Sequence, residues 1–267
     1  MKFEFKINKY YLVGYTMASK NKPFPAWEKL EEKIWQKHRD EPAYYFLNSK
    51  YISLALEQIQ TNFDDRNIEK VFKKHLLKLK EIYKEIFKTK ECKRLLKETE
   101  EHLIFIRNQW NRNKKEALKI LQEISGLPIP KHKITVYITH PKSQNAKTIN
   151  KNTIVRGREE KWKNHSTIFL CHELMHIMTW LDHFQPNYDI LHALIMLADN
   201  ELKIRLNKKG KYFKEGKFCT ESPTFLPLEK KLFPYWRKYL GGKLKKNILE
   251  LKEFLIKNRN KIGLPKI

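Results

Sequence analysis

His172-Glu173-Leu174-Met175-His176 is an HExxH arrangement set inside the apolar stretch Thr167 to Trp180. Two histidines four residues apart lie one above the other on a helix, so both imidazoles can reach a single metal ion. The glutamate between them projects beside that ion, where it can take a proton from an attacking water. These residue types at this spacing point to zinc-dependent hydrolysis, with Glu173 as general base. No glycine, proline or charge run interrupts Ile168 to Leu181, so a helix is expected to carry the motif.

Two histidines do not complete a catalytic zinc site; a third protein ligand is required, with water in the fourth position. Downstream, Asp182, His183, Asp189, His192, Asp199 and Glu201 could supply it. Asp182 lies six residues after His176, a distance that zincins use when a glycine turns the chain three residues past the second histidine. Here that position is Thr179, and six helical residues rotate about 600°, off the ligand face. Glu201 is better placed. Pro186 to Asp189 reads as a helix start with Asp189 as N-cap. Ile190 to Leu206 then reads as a buried helix that returns antiparallel to the motif helix. A carboxylate in that apolar run needs a partner, and zinc would provide one. Glu201 is therefore the expected third ligand, with Asp182 the alternative.

With His172-Glu173-xx-His176 followed, 25 positions on, by Asn200-Glu201, the chain resembles the gluzincin metallopeptidases over roughly residues 133–206. The resemblance implies one zinc ion held by His172, His176 and Glu201, Glu173 as general base, and a peptide or protein substrate. Thermolysin-like members carry an acidic residue four positions after the ligand glutamate. Here that position is Arg205, and Asp199 is the candidate to orient a histidine in its place. For the developing oxyanion the candidates are Tyr188, His183 and Tyr212. Trp180, Phe184, Phe218 and Phe225 could line a specificity pocket or pack the core, and Lys208 to Pro227 could cover the cleft.

The elements that would hold this site belong to an α+β, predominantly helical fold. Residues 1–20 look extended. Trp27, Leu30, Ile34 and Trp35 repeat at helical spacing, as does Tyr44 to Ile59, and amphipathic helices are expected over Asn67–Thr89 and Glu91–Glu123. After the breakers Gly126 to Pro130, strands are expected near Ile134–Thr139 and Thr153–Arg156, separated by a polar loop, Pro141 to Asn152. An extended peptide could pair with either strand. Leu244 to Ile262 reads as a last amphipathic helix. The expected division is an N-terminal strand and helical region, 1–125, and a zincin-like catalytic region, 126–267, with a small sheet, an active-site helix and a glutamate helix.

Composition narrows the classes. The 267 residues are 41% hydrophobic and 32% charged, enough apolar content for a core without any run of about 20 apolar residues that a membrane span needs. Three cysteines without a CxxC pair, and no signal-peptide pattern, favour a reducing, cytoplasmic setting. The net charge of +25 raises a second reading: a basic nucleic-acid-binding protein with a non-catalytic HExxH helix. Lysine outnumbers arginine by about four to one and lies along the polar faces of helices. That pattern favours a solvated surface with non-specific polyanion attraction over base recognition.

Overall fold

Phe3 and Phe5 alternate with polar residues and form β1 (Lys2–Lys6). The computed structural model describes residues 1–47, 66–210 and 225–264, with the side chains of 66–74, 183 and 184 outside the description. Most of the expected Tyr44 to Ile59 helix, and residues Tyr212, Phe218 and Cys219, therefore fall outside it.

The chain does not stay extended after β1. Asn8 caps α1 (Lys9–Ala18), its side-chain oxygen accepting the Tyr11 N–H at 2.9 Å. This helix is buried on two sides. Leu12, Val13 and Met17 enter an N-terminal hydrophobic cluster, while Tyr11 packs with Tyr137 and Val155. A helix apolar on several sides has no clear stripe, so its sequence reads equally as a buried strand. The N-terminal cluster is completed by α2 (Pro25–His38), a 3-10 turn at Pro42–Phe46, α3 (Arg66–Lys88) and the first turns of α4 (Lys90–Ser125).

At 36 residues, α4 is about 54 Å long. Cys92 and Leu95 near its start belong to the N-terminal cluster, whereas Leu103 through Ile124 belong to the second, larger one. The two cores therefore meet within α4 and do not divide at 125/126, and β1 sits in the sheet of the second.

That sheet has four strands in the order β1-β2-β4-β3, with β2 (Lys133–Ile138), β3 (Asn145–Asn150) and β4 (Thr153–Gly157). β1, β2 and β4 run parallel, and β3 is antiparallel to β4. Both strands expected from sequence are thus interior, paired on each side, and neither has a free edge for a peptide. Among the described residues the outermost strand on the β4 side is β3, which occupies the stretch expected as loop. Its sequence, NAKTIN, has no apolar alternation because most of the strand is only half buried.

α5 (His165–Met178) carries HExxH, a 3-10 turn follows at Trp180–Phe184, and α6 (Tyr188–Leu206) is the next helix. α7 (Leu226–Leu240), which the sequence reading did not anticipate, packs against α6. α8 (Ile248–Lys257) and the short α9 (Arg259–Ile262) divide the expected C-terminal helix. Among the described residues the fold is α+β and predominantly helical. Among the described residues no helix is long and apolar enough to cross a membrane.

Gly126 ends α4 with a left-handed φ of 66°, and a Cβ there would strike the Lys246 carbonyl. Gly126→Ala should lower unfolding free energy by about 2 kcal/mol or more, measured as a shift of the urea midpoint at unchanged slope.

Candidate metal centre

α5 is pinned at its N-terminus before it delivers any chemistry. The first turn of a helix leaves N–H groups without partners. Glu160 accepts from the Ser166 N–H at 3.1 Å and its hydroxyl at 2.6 Å, and Gln109 of α4 accepts from the Thr167 N–H at 2.9 Å. About two and three turns from the helix start, His172 and His176 lie buried on the same face.

α6 runs antiparallel beside them, because Asp199 near its end meets His172 and Tyr188 at its start meets His176. The Nδ1 of His172 is 2.7 Å from Asp199 Oδ2, and the Nδ1 of His176 is 3.1 Å from the Tyr188 hydroxyl. With both Nδ1 groups directed outward, the two Nε2 atoms converge to 3.0 Å. His192 of α6 joins them, so that one donor nitrogen from each of His172, His176 and His192 lies within 4.8 Å of the others. Tetrahedral zinc with Zn–N bonds near 2.05 Å spaces its nitrogen ligands about 3.3 Å apart. Three imidazoles, two of them oriented by outer hydrogen bonds, fit that geometry and leave a fourth position open.

Glu173 is 3% exposed. The Thr148 hydroxyl of β3 sits 2.7 Å from its Oε2 and 3.0 Å from its main-chain carbonyl. Burial pushes the Glu173 pKa up, opposed by His172 and by Thr148. A carboxyl raised in this way is a stronger proton acceptor than an ordinary one, which suits a general base. Burial also disfavours a charged His172, but the adjacent Asp199 carboxylate outweighs it and lifts His172 to about 9. Asp199 in turn is raised by burial, opposed by the His172 beside it. These groups face a cavity of about 640 Å³ that Thr148, Phe169, Tyr188 and Met196 help to line.

The structure brings together His172, Glu173 and His176 as expected, and it places Asp199 as the histidine's orienting partner. It does not bring Glu201 to them. Tyr188, His192, Met196 and Asp199 share the cavity face of α6. Nine residues separate His192 from Glu201, a rotation of about 900°, which puts Glu201 on the opposite side. There it is fully buried with Arg205 Nε 3.8 Å away, and Arg205 also approaches Glu123 of α4 at 3.7 Å. Asp182 is likewise engaged elsewhere, 2.7 Å from the buried Lys252 Nζ of α8. Asp189 is not the N-cap of α6; that position is Asn187, in a left-handed conformation.

Among the other expected residues, Tyr188 orients His176 at this distance and is not a spare donor. Phe225 stands edge-on to His192 with ring centroids 4.4 Å apart, whereas Trp180 does not line the cavity. The side chains of His183 and Phe184 lie outside the described residues, as do Tyr212, Phe218 and the larger part of Lys208 to Pro227. Of the residues at this site, His192 is one of the downstream candidates in the sequence but ranks there behind Glu201, and Thr148 is not singled out. A helical-wheel count from Asp199 would have found the former, seven residues back and about 20° away. Nothing local marks the latter.

Comparisons with known proteins find no match: no family profile, curated protein or solved structure corresponds to this chain.

Two measurements test the arrangement. His192→Ala should weaken zinc affinity severely, and Asp199→Asn by about 10–100-fold. Glu201→Gln should leave it within about twofold, by equilibrium dialysis. The second concerns the packing beside the site. Burial and Arg156 hold His102 and His165 at about 4, below the ordinary 6.5. The unfolded chain then binds more protons between those values, so stability is complete above pH 6.5 and falls as pH drops towards 4. His102→Gln should flatten the loss of urea midpoint between pH 7 and pH 5.

Proposed function

We propose that this chain is a zinc-dependent peptidase in which His172, His176 and His192 hold the ion and Glu173 is the general base. The observation that carries the reading is the convergence of three imidazoles beside a buried glutamate, on a cavity of about 640 Å³. Convergence with the outer nitrogens already engaged also favours hydrolysis over the nucleic-acid-binding alternative, which gives such a site no purpose.

Bound zinc would supply a Lewis acid that polarises the scissile carbonyl and makes a water acidic enough to attack near neutral pH. Glu173 takes the proton from that water and returns it to the leaving amine. Thr148 fixes one carboxylate oxygen at 2.7 Å, which leaves the other to carry the proton. Asp199 and Tyr188 keep the imidazole rings from rotating. An extended substrate would add to the open edge of β3, whose Ala146, Lys147 and Thr148 border the cavity. The donor set departs from the glutamate-ligand pattern of gluzincins, so the reading extends to a zincin-like peptidase and not to that subgroup. The buried free thiols of Cys92 and Cys171 are compatible with work in a reducing compartment such as the cytoplasm. The lysine-rich surface supports non-specific attraction to polyanions.

Glu173→Gln is expected to keep one zinc per chain while peptide-library hydrolysis falls at least about 100-fold. Unchanged cleavage would sink the assignment of the base. A purified chain that neither contains zinc nor takes it up would remove the proposal as a whole.

A further inference from the structure

The cavity does not stop at the histidines. It follows α5 back from His172 past Phe169 to His165, seven residues or roughly 10 Å along the helix. Its far end is cationic: Arg158 and Lys161 come from the loop between β4 and α5, with Trp162 and Phe169 as aromatic walls. The two acids that line the cavity, Glu173 and Asp199, belong to the other end and are engaged by Thr148 and His172.

The cationic end is built into the fold. Arg158 Nε is buried with no hydrogen-bond partner. Behind Phe169, Arg156 is fully buried; its guanidinium stacks 4.6 Å from that ring and donates to Ser166 Oγ at 3.0 Å. Its Nε and Nη1 also have no partner. Glu160, whose charge acts on Arg156, is already occupied by Ser166 and Gln109. Buried guanidinium donors left unpaired are costly, and a guanidinium fork matches a carboxylate better than any other side-chain group.

We propose that this end of the cavity is a subsite for a carboxylate of the substrate, two or three residues from the bond that is cut, with Arg158 and Lys161 as its contacts. The proposal rests on the peptidase reading above. The register follows from the length: an extended chain advances about 3.3 Å per residue, so roughly 10 Å corresponds to two or three residues. An acidic side chain and a free C-terminus present the same group at that distance.

Three zinc-directed peptide hydroxamates of equal size separate the possibilities, titrated calorimetrically into the zinc-loaded full chain. One carries a glutamate side chain and an amidated terminus, the second glutamine and a free terminus, the third glutamine and an amide. At least one carboxylate-bearing compound should bind about tenfold or more tighter than the neutral one, and which one does so identifies the source. Arg158→Met with Lys161→Met should bring that ratio close to one. Lys161→Met alone, the milder change, should reduce it partway. Equal binding of all three compounds overturns the subsite and leaves the peptidase reading standing. Binding of none overturns both. A ratio that survives the double substitution overturns the assignment to these two residues.

Discussion

An imidazole has two nitrogens, and a buried one must find a partner for each. His172 and His176 are buried one turn apart on α5, and the architecture around them follows from that requirement. α6 must run antiparallel at the right distance to offer Asp199 to one and Tyr188 to the other. Once those bonds fix the rings, the inner nitrogens can only face each other, and His192 enters from the same helical face. The remaining interior charge obeys the same rule. Asp182 is matched by Lys252 and Glu201 approaches Arg205, each away from the cavity.

Much of this was legible in the sequence because strong periodicity and a spaced motif coincide. The motif helix, the two interior strands and the helix after the motif all lie within a few residues of where pattern places them. Glu201 lies away from the two histidines for a reason of angle. Glu201 looked suitable because a buried carboxylate needs a partner, but that argument fixes only that a partner exists. The helical repeat decides where the partner lies: His192 and Asp199 differ by about 20° around α6, while Glu201 is half a turn away. Counting from the orienting aspartate places His192, and not Glu201, on the face of His172 and His176.

The strand that borders the cavity was illegible for a different reason. Edge strands bury little, so β3 lacks the alternation that identifies β2 and β4. Its pairing with β4 is a tertiary fact, and so is the Thr148 contact to Glu173. α1 failed in the opposite direction, because burial on two sides erases a helical stripe. Arg156 was also invisible as a special residue, since nothing in Thr-Ile-Val-Arg-Gly indicates that the arginine is enclosed.

The length of α4 has a thermodynamic consequence. One end is packed in the N-terminal cluster and the rest in the core that holds the sheet and α5, and a helix propagates order along itself cooperatively. Neither core can melt without exposing part of the element that closes the other. The chain should therefore behave as one cooperative unit in spite of its two apolar centres, with its slowest amide exchange in the middle of α4. The face that carries the three histidines then inherits its rigidity from packing that lies far from it in sequence.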